Sequence, residues 1–240
     1  TDGVAFPESA EQVRALLRYA VGCGAAVIPM GGGTSVVGHL TVPEGGQAVL
    51  TINLSRLCGL VNLDREAQLA TFGAGVLGPD LEAQLRAQGY TLGHFPQSFE
   101  YSTLGGWVVT RSSGQQSLRY GRIEQLFAGG TVETPVGTLE VVPFPASAAG
   151  TDLREVVLGS EGRIGILTEA TVRITPLPQR EEFHTLFFPD WERAQEAVRA
   201  IVQAKLPLSM LRLSNPVETL TTLTMAGHKT LIGLLERYLA

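Results

Sequence analysis

The chain has 240 residues, 44% of them hydrophobic and 17% charged, and a formal net charge of −5 at neutral pH. Its length is sufficient for one large domain or two small ones. The acidic balance argues against a nucleic-acid partner, which would need a basic face. No apolar run approaches the ~20 residues of a membrane span, so we expect a cytoplasmic protein without a transmembrane segment. Cys23 and Cys58 form no metal-site or disulfide spacing, and no metal is expected.

The first predicted elements are a helix and a strand in "FPESAEQVRALLRYAVGCGAAVIPM", residues 6–30. Ser9 and Gln12 have the spacing of a capping box, and apolar residues then recur at helical period. Gly22 and Gly24 are expected to end this helix. The segment "AAVIP" that follows predicts a short strand buried on both faces.

A glycine run, "GGGTSVVG" at residues 31–38, comes directly after that strand. Consecutive glycines allow positive φ angles and close approach of the main chain to a ligand. Successive N–H groups in such a turn can bind an anion, and the hydroxyls of Thr34 and Ser35 add donors. A pyrophosphate could therefore be held without any basic residue. A tight loop that binds nothing explains the same pattern.

A second glycine motif, "GAGVLG" at residues 73–78, fits the G-x-G-x-x-G pattern of dinucleotide-binding folds. Two strand-like runs, "AVLTINL" and "AQLATFG", precede the motif, and a predicted helix, "GPDLEAQLRAQG", follows it. Pro79 and Asp80 follow at once, so a carboxylate would stand where the pyrophosphate belongs. No acidic residue ends a second strand at the required distance. We interpret the motif as a strand-turn-helix corner, with a Rossmann site as the alternative.

The rest of the chain predicts a change of character near residue 178. A glycine- and serine-rich stretch, residues 93–121, precedes a strand at "LEVVPF", a short helix at "DLREVVLGSEG" and a long strand at "RIGILTEATVRITPLP". After two prolines, "EFHTLFF" and "SMLRLS" predict strands, and "DWERAQEAVRAIVQA" and "PVETLTTL" predict helices. We expect domains at 1–178 and 179–240, the second of them cut short.

Three segments together resemble a known family: "PMGGGTSVVG" (29–38), "GHFPQSFEYSTLGGWVVTRSSGQQSLRYG" (93–121) and "GSEGRIGILTEATVRI" (159–174). They are similar, in this order, to the PCMH-type FAD-binding domain of the vanillyl-alcohol-oxidase superfamily. The second segment resembles most the alkyldihydroxyacetonephosphate synthase family, and the third is shared with FAD-linked D-lactate and glycolate oxidising enzymes. The resemblance implies an α+β fold: a two-subdomain FAD-binding domain followed by the start of a ferredoxin-like cap.

The resemblance also implies that FAD is the cofactor and which residues hold it. The glycine run would wrap the pyrophosphate, residues 97–113 would line the flavin and its ribityl chain, and residues 161–167 would contact the other side. The implied cofactor-binding residues are Met30, Gly31, Gly32, Gly33, Thr34, Ser35, Val36, Gln97, Ser98, Phe99, Glu100, Tyr101, Ser102, Thr103, Gly105, Gly106, Thr110, Arg111, Ser112, Ser113, Glu161, Gly162, Arg163, Ile164, Gly165, Ile166 and Leu167.

Several single residues have two interpretations. His39 could attach FAD covalently, as a histidine does in some relatives, but the resemblance to the synthases implies non-covalent FAD. Arg111 could supply a positive charge near flavin N1 or form an ordinary ion pair. His94 is interpreted as a hydrogen-bonding loop residue, and Trp107 as a core residue. Arg212, in "SMLRLSN", matches an arginine of the synthase pattern on the substrate side of the cap.

The resemblance leaves the reaction open between two uses of one cofactor. For a synthase, the resemblance implies that flavin N5 holds the dihydroxyacetone-phosphate unit after the acyl chain leaves, until a fatty alcohol takes its place. In the 2-hydroxy-acid oxidases, N5 accepts a hydride from the substrate. The catalytic acid–base residues are expected beyond residue 240, so an FAD-binding fragment without activity is a third possibility. A small-molecule or lipid-like substrate, a homodimer and peripheral membrane contact are compatible with the synthase interpretation.

Overall fold

The computed structural model describes residues 1–42 and 44–225. The chain divides into two compact units between Leu177 and Pro178. The strands of the first unit are β1 (Gly3–Ala5), β2 (Ala26–Met30), β3 (Val49–Asn53), β4 (Leu60–Asp64), β5 (Leu69–Gly73), β6 (Tyr90–Thr91), β7 (Phe127–Thr134), β8 (Gly137–Val141), β9 (Ile166–Arg173) and β10 (Thr175–Pro176). Its helices are α1 (Ala10–Cys23), α2 (Gly78–Arg86), α3 (Leu104–Thr110), α4 (Ser117–Tyr120), α5 (Ile123–Leu126) and α6 (Leu153–Val157).

A small parallel sheet in the order β1-β3-β2 forms the N-terminal part of the first unit. Helix α1 begins as the sequence predicts, with the Ser9 side chain accepting from Gln12 N, and Gly24 at φ 68° ends it. Gly22 lies inside the helix rather than at its end. Strand β2 is half-buried along its length and not buried on both faces as predicted, because it forms the edge of the sheet.

The larger sheet has the order β4-β5-β9-β7-β8, and all of its pairings are antiparallel. It packs on the main hydrophobic core, in which Phe72, Trp107 and Phe127 are the largest fully buried side chains. Strands β4 and β7 were not predicted from the sequence. Strand β7 contains Gly129 and Gly130, which weaken a strand pattern, and β4 is short and largely exposed.

A buried ion pair joins helix α1 to the larger sheet. Glu133 on β7 is fully buried, and its carboxylate accepts from Arg14 Nη1 at 2.7 Å and from Thr138 Oγ1 at 2.8 Å. A buried carboxylate without such partners would be strongly destabilising. The contact therefore fixes how the parallel sheet with α1 sits on the antiparallel sheet.

The G-x-G-x-x-G motif is a strand-turn-helix corner, as we interpreted it. Strand β5 ends at Gly73 and α2 begins at Gly78, but β5 pairs antiparallel with both neighbours. The Rossmann alternative needs a parallel β-α-β unit, so the structure excludes it. Two of the glycines serve backbone packing instead. A Cβ on Gly73 would lie 2.4 Å from Leu57 O, and one on Gly75 1.7 Å from Leu54 O.

The described part of the second unit contains α7 (Trp191–Gln203) and α8 (Pro216–Met225). Asp190 caps α7 by accepting from Arg193 N at 2.8 Å, as the sequence predicts. The two predicted strands, 182–188 and 209–214, are wrong among the described residues, because neither segment finds a hydrogen-bonded strand partner there. The ferredoxin-like cap stays a prediction, and the last fifteen residues of the predicted second domain, 226–240, lie outside the described residues.

Candidate functional site

A cleft of about 410 Å³ in the first unit brings the three predicted segments together. Its walls come from the end of β2 with the glycine run, from the start of α3, and from the loop that leads into β9. This volume lies within the range of ordinary ligand pockets. The lining residues predicted from the sequence are Met30, Gly31, Gly32, Gly33, Thr34, Ser35, Val36, Ser98, Ser102, Thr103, Gly105, Gly106, Thr110, Ser112, Glu161, Gly162, Gly165, Ile166 and Leu167.

The glycine run packs tightly on the segment before α3. A Cβ on Gly31 would lie 2.3 Å from Thr103 Oγ1, and one on Gly32 would lie 1.6 Å from Tyr101 O. Gly33 has a φ of 71°, in the region that favours glycine. Protein packing and turn geometry therefore require these glycines whether or not a ligand binds. The tight loop and the anion-binding loop, the two interpretations of this pattern, are thus compatible with each other.

The glycine run also presents a set of backbone donors. The N–H groups of residues 31–36 have no hydrogen-bond acceptor among the described residues, and Val37 N only reaches Ser35 Oγ at 3.5 Å. Backbone N–H groups that converge in a glycine-rich turn form a site for an anion. The hydroxyls of Thr34 and Ser35 line the same cleft. This donor set fits a pyrophosphate, which offers acceptor oxygens and no donors.

Helix α3 begins at the floor of the cleft. Thr103 is its N-cap and accepts from Gly106 N at 3.3 Å. Gly105 lets the helix approach β5, since a Cβ there would lie 2.8 Å from the Ala74 Cβ. Trp107 is 2% exposed and belongs to the core as predicted, although it also reaches the cleft wall. Its indole Nε1 donates to Ser102 Oγ at 2.7 Å, which satisfies its one donor.

His94 supports the cleft wall from inside the protein. It is 1% exposed, lies edge-on to Trp107 at 5.0 Å between ring centroids, and places Nε2 2.6 Å from the Ser112 hydroxyl. Burial lowers the pKa of His94 to about 4, so the ring is neutral at physiological pH. Its Nδ1 is buried without a partner among the described residues. An unpaired acceptor is less costly than an unpaired N–H, which favours the tautomer that donates from Nε2 to Ser112.

The loop before β9 closes the opposite side of the cleft. Glu161 has a φ of 53° and Gly162 a φ of 80°, so two consecutive residues are left-handed. The first is unusual for a residue with a side chain. Glu161 N donates to Val109 O at 2.9 Å, which ties the loop to α3. A Cβ on Gly162 would lie 2.6 Å from Pro29 Cγ, so this loop and the end of β2 are in direct contact.

His39 connects the two sides of the cleft. Its Nδ1 lies 2.9 Å from Ser35 Oγ, and its Nε2 lies 3.2 Å from Glu161 Oε2. Both ring nitrogens are therefore engaged by protein groups. A histidine that carried a covalent flavin would need one of them free for that bond.

The other predicted site residues do not line the cleft. Gln97, Phe99, Glu100 and Tyr101 line a separate pocket of about 270 Å³, together with Phe95, Pro96 and Gln115. Ser113, Arg163 and Ile164 border neither pocket. Their chain segments do contribute to the cleft, because Ser112 and Gly165 beside them line it. The resemblance thus marks the segments better than the individual side chains.

The two predicted arginines are held by carboxylates. Arg111, at the left-handed C-cap of α3, pairs with Glu155 and donates Nε to Leu158 O, and it does not line the cleft. Arg212 lies in the second unit and pairs with Glu218, whose pKa is lowered chiefly by that hydrogen bond. The structure therefore gives Arg111 the ion-pair role that was one of its two interpretations.

Some lining residues were missed by the sequence reasoning. They are Pro29, Val37, Leu40, Leu54, Ala74 and Val109; His39 and Trp107 also line the cleft, although neither was among the implied cofactor-binding residues. A usable signal existed for two of them, because Ala74 lies between Gly73 and Gly75, and Gly75 packs on Leu54 O. His39 follows the glycine run in sequence, but nothing in the sequence indicates its contact with Glu161.

The described lining of the cleft thus offers an anionic ligand backbone donors and no lysine or arginine. Comparison with known families is consistent with this geometry. The model described as "FAD binding domain" matches residues 1–142, more than half of the chain, and "FAD linked oxidases, C-terminal domain" matches residues 177–237. The chain belongs to the FAD-binding domain family, and its cofactor is FAD. The predicted family, cofactor and mixed α+β fold are confirmed.

Comparison with individual relatives gives the sequence identity and the share of each chain that is covered. The chain is 38% identical over 218 residues to the alkyldihydroxyacetonephosphate synthase of Dictyostelium discoideum, covering 91% of this chain and 36% of that protein. It is 30% identical to the mitochondrial D-lactate dehydrogenase [cytochrome] of Arabidopsis thaliana, covering 96% and 40%. A solved alkyldihydroxyacetonephosphate synthase structure matches with a TM-score of 0.80 and 38% identity, over 84% of this chain and 37% of that one. The chain spans little more than a third of the synthases.

Among the described residues, no helix is long and apolar enough to cross a membrane.

Proposed function

We propose that the cleft holds FAD, with the pyrophosphate on the backbone N–H groups of residues 31–36. The observation that carries this proposal is that residues 31–36 line the cleft while their N–H groups have no acceptor among the described residues. The hydroxyls of Thr34 and Ser35 supply further donors. Ser98, Ser102, Thr103 and Ser112 would face the flavin and ribityl side, since they line the cleft beyond the glycine run. Arg111, Ser113, Arg163 and Ile164 would support these segments without contacting the cofactor.

We propose further that FAD is bound non-covalently. The contacts of the two His39 ring nitrogens with Ser35 and Glu161 would have to be broken at one side for a bond to flavin, which favours a non-covalent cofactor. Affinity would then depend on the shape of the cleft. The close packing of Gly32 on Tyr101 O and of Gly162 on Pro29 keeps that shape.

The reaction proposed for the whole protein is that of an alkyldihydroxyacetonephosphate synthase, in which a fatty alcohol replaces the acyl group of acyl-dihydroxyacetone phosphate. The 36–38% identity to such synthases over most of the chain supports it. When bound, FAD supplies the electrophilic ring that this reaction or a hydride transfer requires. Oxidation of a 2-hydroxy acid is the second candidate, favoured by the oxidase-type match over residues 177–237.

Within this proposal, residues 1–178 form the FAD-binding domain and residues 179–240 begin a substrate-binding cap. Arg212, exposed apart from its pair with Glu218, would contribute a cation toward a phosphate or carboxylate of the substrate. The acid–base groups would lie beyond residue 240. A cytoplasmic location with peripheral membrane contact, and a homodimer, belong to the same proposal.

The visible absorption spectrum of the purified chain, taken before and after acid precipitation, tests the cofactor. We expect oxidised-flavin bands that remain in the supernatant after precipitation. Bands that stay with the pellet would show covalent attachment and overturn the role given to His39. A colourless chain that also fails to take up added FAD would overturn the cleft assignment.

The two candidate reactions can be distinguished by the substrate that the protein converts. A chain extended to the length of its relatives, loaded with FAD, is incubated with acyl-dihydroxyacetone phosphate and a labelled fatty alcohol, or with D-lactate or glycolate and an electron-accepting dye. We expect alkyl incorporation without dye reduction. Dye reduction by a hydroxy acid would favour the oxidase candidate. The 240-residue chain, assayed beside it, tests whether the fragment has any activity of its own.

A further inference from the structure

The cleft is unusual for a dianion site in its charge. Among the residues that the structure places in its lining, only His39 and Glu161 are titratable, and no lysine or arginine is present. Glu161 is 41% exposed and His39 25% exposed at their side chains, so neither is removed from the cleft by burial. A pyrophosphate entering here would meet a carboxylate, with one imidazole as the nearest group able to carry a positive charge.

The charged groups on the neighbouring elements hydrogen-bond within the protein, and of Arg163, Arg111 and Arg14 only Arg163 does so without a carboxylate partner among the described residues. Arg163, on the same loop as Glu161, donates Nε to Ser160 O at 3.4 Å. Arg111, at the end of α3, pairs with Glu155, and Glu133 on β7 pairs with Arg14. Of the two titratable residues in the lining, His39 is the one whose protonation would add a positive charge to the cleft.

The protonation state of His39 decides what the Ser35 hydroxyl can do. In the neutral ring, with the proton on Nε2 toward Glu161, Nδ1 accepts and the Ser35 hydroxyl must donate to it. In the imidazolium both nitrogens donate, so Ser35 Oγ accepts from Nδ1–H and its own proton becomes free to donate elsewhere. Protonation thus cancels the Glu161 charge and adds a hydroxyl donor to the glycine run.

We propose that His39 is a cofactor-positioning residue whose protonation is coupled to FAD binding, an inference that rests on the proposed cleft site. The imidazolium ties the glycine run to Glu161 and turns the Ser35 hydroxyl toward the pyrophosphate. Binding then takes up one proton from solvent. Imidazole is suited to this coupling, because histidine ordinarily titrates between about pH 5 and 8.

FAD titration of the apo chain at about pH 6 and about pH 8, followed by flavin fluorescence, tests the coupling. If binding takes up one full proton, we expect FAD to bind up to about tenfold more tightly for each unit by which the pH is lowered. Calorimetry in two buffers of different ionisation enthalpy should then show net proton uptake on binding. His39→Leu and His39→Gln should both bind FAD with little pH dependence and no proton uptake. The control is His184→Leu, since His184 is exposed and pairs with Glu182 in the second unit. It should keep the wild-type behaviour.

Hydrogen exchange at Thr41 in the apo chain gives a readout without FAD, because its N–H donates to Gly38 O at 2.9 Å across the turn that contains His39. Glu161→Gln should speed this exchange at about pH 6 and reduce the pH dependence of binding, because the imidazolium loses its partner. If Glu161 merely repels the pyrophosphate, Glu161→Gln would bind FAD more tightly with unchanged exchange, and the proposal is wrong. Wild-type pH dependence in His39→Leu would overturn it as well. Failure of the wild-type chain to bind FAD would overturn the proposed cleft site instead.

Discussion

Replacing His94 by asparagine is expected to remove part of the protein's sensitivity to acid. His94 is 1% exposed, and burial lowers its pKa from 6.5 to about 4. The folded protein therefore keeps this ring neutral over a range in which the unfolded chain protonates it. Titration of His94 leaves the free energy of unfolding unchanged above about pH 6.5. It lowers this free energy as the pH drops from about 6.5 to about 4, and it causes no further loss below about pH 4.

The expected size follows from the width of that window. The two pKa values differ by about 2.5 units, and each unit corresponds to about 1.4 kcal/mol, so the full loss is about 3 kcal/mol. At about pH 5 roughly 2 kcal/mol of it should be present. Asparagine removes the titration but also leaves space beside Trp107 and Ser112. We expect it to cost about 1–2 kcal/mol at neutral pH, where the histidine has no penalty.

Urea unfolding of wild type and His94→Asn at about pH 7.5 and about pH 5 measures the effect as a double difference. Because both chains have the same carboxylates, the contribution of these groups to the pH dependence of the free energy of unfolding cancels in that difference. The variant should be less stable at the higher pH, and the gap should close by about 2 kcal/mol at the lower one. His184→Asn is the matched control, because His184 is 77% exposed at its side chain. An equal acid response in wild type and His94→Asn would refute the assignment of a buried neutral ring.

Gly32→Ala should weaken FAD binding by about a hundredfold, because its Cβ would lie 1.6 Å from Tyr101 O and the glycine run must move by more than about 1 Å. Gly46→Ala, whose Cβ meets nothing within 4 Å, is the control, and equal FAD affinity in the two variants would contradict the cleft geometry. Glu133→Gln should lower the free energy of unfolding by about 2–3 kcal/mol, since it removes a fully buried carboxylate charge that pairs with the partly exposed Arg14. Glu8→Gln, in an exposed pair, should change it by less than about 0.5 kcal/mol in the same urea measurement, and similar losses would contradict this reasoning.

The elements that the sequence predicts well are those with local signals. Helix α1 has its cap at Ser9 and its left-handed glycine at Gly24, and α7 has its cap at Asp190. Each of these depends on neighbouring residues alone. Strands β4 and β7 depend on partners far away in the chain, and β7 contains Gly129 and Gly130, so its pattern gives little warning of a strand.

The same distinction applies to the cleft. The glycine run and the segment around Thr103 and Ser112 could be marked from the sequence, because glycine and hydroxyl residues cluster there. Which side chains face the cleft depends on the turn of the chain at each point. Arg111 is turned away at a left-handed residue and reaches Glu155. The pairing of His39 with Glu161 joins positions 122 residues apart and has no local signal.

The packing of the described cleft explains how it could hold an anion without a lysine or arginine in its lining. Each of its segments approaches another through a glycine: Gly75 on Leu54 O, Gly105 on Ala74, Gly32 on Tyr101 O and Gly162 on Pro29. These contacts hold the backbone donors of residues 31–36 in a fixed arrangement before any ligand arrives. Donors fixed in advance bind an anion without paying to order long cationic side chains, whose rotamer entropy is large. In the proposed site the binding groups would be main chain, so the sequence would record the site mainly through glycines, where side chains are missing.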